Sequence, residues 1–510
     1  MKRTISLILV ALMLVSVFAG CGEKDETPEG FCVGYSKVNI TPSLELNLGL
    51  FGYNDQSTRR ATGVLEPMYA TCIAAKDETG NTVIFFGEDL LHANGWISDM
   101  IRTNITEATG IPGENINFAG SHSHSGPSHD EKLIAVDKYN KEFVEKCTNA
   151  ALEAVADLAP AQMYTHFVRL EELNYRRHYL LDDGTYWGRP LANLPNGANG
   201  YHCLSKADDM LQMVKFTRQG KSDVLIINWQ GHPKGNTSGH YTEYSSDYVG
   251  VLRRTLLEQA NVESLFLLGA SGDVNTASEL SPSSRATTFL DLGAKLANKI
   301  LVEYENFTPA EGTDIHVKTK VFNISSNDMD YDLNVFSIGQ VGFIMVPYEM
   351  FTSNALAIKE NSPYPMTFVG TVANGSGPKF YMPDYAAFTY DCYEKSNKYV
   401  QGDAEIFQEQ YIELLEACFE ASGQEQVEKA EGYVMDKSPQ LDPEPYVNPA
   451  VGNYDMISPG NNNLYKLYLS YSGATKVVLV EGEELAKEII NSASVKLYMD
   501  QRGVAVDMER

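Results

Sequence analysis

A series of short apolar runs, each of strand character and each ending in a polar, glycine-bearing loop, sets the tightest limit on how this chain can fold. They cover 82–86, 116–119, 224–229, 265–268, 341–346 and 366–369. Between several of them, 142–159, 249–259, 288–304 and 405–421 place apolar residues at three-to-four spacing, the period of an amphipathic helix. Runs that are apolar throughout predict strands buried on both faces, and their alternation with helices predicts an α/β domain. The loops that follow the runs carry nearly all the chemically interesting residues: Glu88-Asp89, His122 and His124, Gly231-His232-Pro233, Gly272-Asp273, Pro347-Tyr348-Glu349 and Ala373-Asn374-Gly375. Such positions, at the carboxyl ends of strands, are where an open α/β sheet receives a ligand.

The expected architecture is therefore an α/β, mixed-sheet catalytic domain over 31–425, with site residues on loops after strands. From 426 to 463 the chain turns to Pro, Asn, Gly and Asp without period and reads as a linker or long loop. Residues 464–510 suggest a small α+β or β-rich region, with a hairpin over 495–508 turning at Gln501-Arg502-Gly503.

Of the 510 residues, 43% are hydrophobic and 21% charged, enough apolar matter to fill a core. The formal net charge of −27 repels phosphate backbones, which argues against nucleic-acid binding and against attraction to an anionic membrane surface. Membrane contact must then be local and apolar, or covalent. Lys2 and Arg3 precede an apolar run from Ile5 to Phe18, followed by Ala19-Gly20-Cys21. That order reads as an export signal over 1–20, too short to span a bilayer. A cysteine directly after Ala-Gly resembles the bacterial lipobox, with Phe18 in place of the usual Leu; a plain signal peptide is the alternative. Acylation at Cys21 would leave 21–30 as a tether and the protein exported, lipid-anchored to the cell membrane and facing outside. Cys32, Cys72, Cys147, Cys203, Cys392 and Cys418 form no C-x-x-C pair, so a thiolate zinc knuckle is unsupported, and buried thiols and disulfides both stay open.

Within Ser121-His122-Ser123-His124-Ser125-Gly126-Pro127, an extended backbone would point residues i and i+2 to one side, aiming both imidazoles at one site. A lone H-x-H is more often a polar loop; the Ser-Gly-Pro that follows leaves room for a ligand and stiffens the turn. His232 alone would read as a buried hydrogen-bonded histidine, and Glu349 alone as a charge at a helix N-terminus. Taken together, histidines and a carboxylate from separate strand ends make a catalytic zinc site with one position open to water.

The ordered set Thr62-Gly63-Val64-Leu65-Glu66-Pro67, the 121–127 run, Asn228-Trp229-Gln230-Gly231-His232-Pro233, Ser246-Asp247-Tyr248, Gly272-Asp273-Val274, Pro347-Tyr348-Glu349 and Tyr381 with Tyr393-Glu394 resembles the neutral ceramidases over roughly 33–425. The resemblance implies Zn2+ held by His122, His232, Glu349 and Tyr381, with Tyr393 lining the site. It implies that His124 handles protons and that Arg176, in Asn174-Tyr175-Arg176-Arg177-His178, steadies the substrate; Arg177 is the alternative, and a surface salt bridge the bland role for either. The implied activity is hydrolysis of an N-acyl amide, a ceramide-like lipid first. Hydrolysis of another lipid or sugar ester or amide, and a non-catalytic lipid- or glycan-binding lipoprotein keeping the zinc, are the rivals. One departure bears on mechanism: Asn275 stands where the family carries a serine. An amide is no nucleophile but orients water or donates to an oxyanion, which favours direct attack by a metal-activated water. The larger members end in an immunoglobulin-like domain, and the residues after 425 are too few to assign one from sequence.

Overall fold

The computed structural model describes residues 29–433, except 54–56, 171–172, 182–185, 189–200, 204–205, 236–239, 277–287, 325–328, 376–380, 390–391 and 396–397. It gives backbone alone at 180, 186, 201–203 and 389 and in strands between 454 and 509. The principal strands in chain order are β1 (Cys32–Asn39), β2 (Tyr69–Lys76), β3 (Thr82–Glu88), β4 (Ile116–Gly120), β5 (Ala159–Arg169), β6 (Asn174–Arg176), β7 (Met210–Arg218), β8 (Val224–Trp229), β9 (Glu263–Leu268) and β10 (Val274–Thr276). They continue with β11 (Ile315–Ile324), β12 (Met329–Ile338), β13 (Val341–Met345), β14 (Glu349–Met350), β15 (Met366–Gly370) and β16 (Tyr381–Met382). The helices are α1 (Gly95–Thr109), α2 (Ile134–Ala156), α3 (Asp247–Ala260), α4 (Phe289–Val302), α5 (Thr352–Asn361) and α6 (Asp403–Ser422).

Every apolar run named above folds as a strand. The larger sheet runs β9-β8-β7-β5-β1-β2-β3-β4. Its two edges are parallel pairs, β3 with β4 and β8 with β9, joined by the crossover helices α1 and α3. Its middle is antiparallel. The middle strands escape a search for bulky runs because of their composition. β2 reads YATCIAAK, with small side chains, and β5 reads APAQMYTHFVR, polar and half-exposed along most of its length. Helix α2 starts at Ile134, before the expected 142, and stops at Ala156 because Ala159 opens β5.

The period-two alternation of β3 decides the layering. Val83 and Phe85 point to one face and Ile84 and Phe86 to the other. The first pair meets the smaller sheet, β11-β12-β13-β15, where Phe336 and Phe343 stack at 4.6 Å and Phe85 lies 5.7 Å from Phe336. The second pair packs under α1 and α2, while α3 and α4 cover the β8 and β9 end of the same sheet. Helices α5 and α6 cover the far face of the smaller sheet. The result is four layers, helix–sheet–sheet–helix, around phenylalanine-rich seams.

One short segment ties strand ends together. After β15, the Thr371 amide donates to Leu268 O at 2.8 Å and the Asn374 amide to Phe118 O at 2.8 Å, while Val372 O accepts from Ala93 at 3.0 Å. Val372 and Asn374 sit at φ 48° and 49°, the left-handed region. For a β-branched residue that conformation costs on the order of 1–3 kcal/mol and persists only where surroundings impose it. This stitch holds the ends of β3, β4 and β9 beside the end of β15.

Among the described residues no disulfide forms; Cys32, Cys72, Cys147, Cys392 and Cys418 are buried thiols, and the Cys203 side chain lies outside them. The leader, Cys21 and the turn expected at Gln501-Arg502-Gly503 also lie outside. No helix among the described residues is long and apolar enough to cross a membrane. The segment that begins at 426 is anchored at first: Tyr433 is buried, its hydroxyl donating to Gln212 Oε1 at 2.7 Å. Further on, Leu464–Tyr471 pairs with Ala474–Glu481 and Ser494–Met499 with Ala505–Glu509, both antiparallel.

The contact between α2 and β1 is close enough to test. A Cβ at Gly34 would fall 1.8 Å from Ala154 O, so Gly34→Ala must lift the helix from the sheet. The expected loss is on the order of a few kcal/mol, seen as a melting temperature lower by several degrees. An unchanged melting curve would contradict the packing.

Candidate metal centre

The chain leaves β4 at Gly120, and His122 takes φ 69°, a left-handed kink where the sequence suggests extended backbone. The kink is imposed by two neighbouring carbonyls: the His122 amide donates to Leu90 O at 2.9 Å and ring Nδ1 to Leu91 O at 2.6 Å. With a carbonyl at Nδ1, the proton belongs there, and Nε2 carries a lone pair. That lone pair faces Glu349 Oε2 at 3.2 Å. Both atoms are buried and neither has a hydrogen-bond partner. Two buried acceptors in apposition need a positive charge between them. Tetrahedral zinc with ligand bonds of ~2.0–2.1 Å spaces its ligand atoms by roughly 3.3 Å, so this pair fits the ion.

His232 enters from the loop after β8. Its Nδ1 lies 3.2 Å from Ser271 O and 3.4 Å from Arg177 Nη1, two contacts that fix the ring and turn Nε2 toward the other imidazoles. His124 Nε2 lies 2.9 Å from that atom, and the three imidazoles offer ring nitrogens all within 4.8 Å of one another. His124 is held by Arg59, whose Nη1 donates to its carbonyl at 2.7 Å, and by the Tyr53 ring at 4.8 Å. Gly52, at φ 130°, lets the chain pass: a Cβ there would lie 2.7 Å from His124 Nδ1. Burial, reinforced by the His122 ring, pushes the pKa of both His124 and His232 well below the usual histidine range. Both are therefore neutral near pH 7, the form that binds a metal or accepts a proton.

Glu349 opens β14, and Tyr381 is its register partner in the parallel two-stranded ladder β14–β16. A tyrosine far along the chain thus lands beside the carboxylate, which no local spacing reveals. Tyr393 meets Tyr381 edge-to-face at 5.7 Å. Burial pushes both phenols up, and the nearby Glu349 charge adds to the shift at Tyr381.

The two arginines part company. Arg176 is buried with Nε on Asp273 and an Nη 3.1 Å from Asp384, so it holds the Asp273 loop and does not join the histidines. Arg177 is the one under the site. It lies 3.4 Å from His232 Nδ1, 3.2 Å from Asn275 Oδ1 and within 5.4 Å of the Tyr381 and Tyr393 rings. Antiparallel pairing of β6 with β10 puts Asn275 opposite Tyr175. Because Arg177 claims the amide oxygen of Asn275, its Nδ2 is left to donate, and it does so to Tyr175 Oη at 3.4 Å.

A second group of ligand-type side chains, His178, Cys392 and Glu394, lies beside the first. Glu394 is already neutralised: Arg177 Nε donates to its Oε1 at 2.9 Å and His178 Nε2 lies 3.3 Å away. Burial alone would raise its pKa, but His178 and Arg177 hold it down to about 2. This trio reads as a polar clamp on Arg177.

No family model matches the chain, and no curated protein matches it by sequence. Solved structures do match. The chain superposes on a ceramidase complexed with C2 and on the neutral ceramidase from Pseudomonas aeruginosa, each with TM-score 0.61 and 12% sequence identity. In both cases 94% of this chain and 92% of the other are covered. The chain therefore has the fold of the neutral ceramidases over nearly its whole length.

Proposed function

We propose that the chain is a zinc-dependent hydrolase of an N-acyl amide bond, with a ceramide-like lipid as its leading substrate. The observation that carries this is the unpartnered pair His122 Nε2 and Glu349 Oε2, facing each other at 3.2 Å on a ceramidase fold. His122, His232, Glu349 and Tyr381 would hold the ion. Zinc, when bound, polarises a carbonyl and brings the pKa of a water toward neutrality.

The chain's own groups account for the remaining work. His124 is neutral and its Nδ1 has no hydrogen-bond partner, so the ring can take a proton and return it to the leaving amine. Tyr393 stays protonated because burial raises its pKa, which makes its phenol a donor to a developing oxyanion. Asn275 presents Nδ2 as a second fixed donor, its oxygen being committed to Arg177. With both of its edges on carboxylates, Arg176 serves the loop and not a headgroup. Acylation at Cys21, which we also propose, would keep an exported site near membrane lipid.

A second substrate class is favoured by one observation. Asn275 occupies the place of the family's serine, so no covalent acyl-serine forms there, and turnover of other esters or amides by a bound water fits equally. Metal analysis of the full chain with a screen of N-acyl lipids against esters separates the two. About one zinc per chain is expected, with turnover that a chelator removes and added zinc restores. His122→Ala and Glu349→Ala should each lose zinc and cut turnover by at least about a hundredfold. A zinc-loaded protein that turns over no acyl substrate would sink the enzyme reading.

Acid should destabilise the chelated protein. His124 and His232 have depressed folded pKa values, so the unfolded chain binds more protons than the folded one below about pH 6.5, and stability falls as pH falls through that value. Melting temperature measured from pH 7.5 to 5 should drop, and a flat profile would contradict neutral buried imidazoles.

A further inference from the structure

Glu394 is buried with 1% of its surface exposed, follows Tyr393 in the chain, and has no part in the reaction described above. Its Oε1 takes the Nε edge of Arg177 at 2.9 Å. A guanidinium is planar and rigid, so fixing one edge aims all five donors. The other Arg177 donors reach Gly272 O, Val274 O at 3.1 Å and Asn275 Oδ1 at 3.2 Å. Its carbon centre lies 5.4 Å from the Tyr381 ring and 5.2 Å from the Tyr393 ring. One carboxylate thus helps to aim a cation that holds the Asn275 amide oxygen and lies against both phenol rings.

We propose that Glu394 is a positioning residue: it orients Arg177, and through Arg177 it fixes the Asn275 amide and the placement of Tyr381 and Tyr393. A metal in the trio His178, Cys392 and Glu394 is the competing use; there Arg177 Nε already takes Oε1, the carboxylate oxygen that faces His178 Nε2 at 3.3 Å, and Oε2 is left without a hydrogen-bond partner. The kinetic consequence rests on the hydrolase reading; the geometric one does not.

The test uses the full chain with Glu394→Leu, which keeps volume and removes the acceptor, and Glu394→Gln, which keeps one acceptor oxygen. Glu394→Leu should lower kcat by about tenfold or more with KM within about threefold, and Glu394→Gln should recover most of the loss. In the crystal structure of metal-free Glu394→Leu, the guanidinium should leave the two phenol faces and the Asn275 amide. If Arg177 keeps its place, or if kcat is unchanged while wild type turns over, the proposal is overturned. If wild type turns over nothing, the hydrolase reading fails, and the position of Arg177 still decides this one. Should Glu394→Leu fail to fold, Glu394→Asp, one methylene short, is judged by the same displacement.

Discussion

Two acceptors that face each other across 3.2 Å in a buried site need positive charge between them, and much of this molecule is arranged to create that need at His122 Nε2 and Glu349 Oε2. A proton would satisfy this pair alone. It would leave His232 Nε2, 2.9 Å from a second imidazole, and the phenol of Tyr381, across the ladder from Glu349, without a shared purpose. A metal ion would use all four. A ring whose Nδ1 is held by a backbone carbonyl, as that of His122 is by Leu91 O, turns Nε2 toward such an ion.

The fold delivers those donors from strands far apart in sequence. Parallel pairs at the two edges of the larger sheet end in loops that carry His122 and His232, and the smaller sheet contributes Glu349 from the turn after β13. What keeps the ends together is the stitch at 371–374, hydrogen-bonded to β9 and β4 and containing two left-handed residues, one of them Val372. Strain there and at His122 is sustained by the surrounding hydrogen bonds, a pattern found where geometry serves a site. Beneath the candidate metal centre, Arg177 and Glu394 form an ion pair buried within the protein.

Much of this was legible in the sequence because fully buried parallel strands are continuous apolar runs, and β3, β4, β8, β9, β13 and β15 are such runs. The antiparallel middle was not, since β2 is rich in alanine and other small residues and β5 is half-exposed and polar, so neither stands out by bulk. The loops after strands pointed to His122, His124, His232 and Glu349 without help. Tyr381 came only through family resemblance, because its place depends on a two-residue ladder with Glu349 that no spacing encodes. Between the adjacent arginines the sequence has no means of choosing. Strand alternation sends Arg176 and Arg177 to opposite neighbours, one to Asp273 and Asp384, the other to Asn275 and Glu394. The Leu91 carbonyl that holds the His122 ring carries no residue signature at all.

The most direct measurement is an anomalous-scattering map of the zinc-soaked crystal, collected on either side of the zinc absorption edge. The account predicts one strong peak, present above the edge and weak below it, at bonding distance from His122 Nε2 and Glu349 Oε2. A folded, well-ordered crystal with no zinc peak between those two atoms would contradict it.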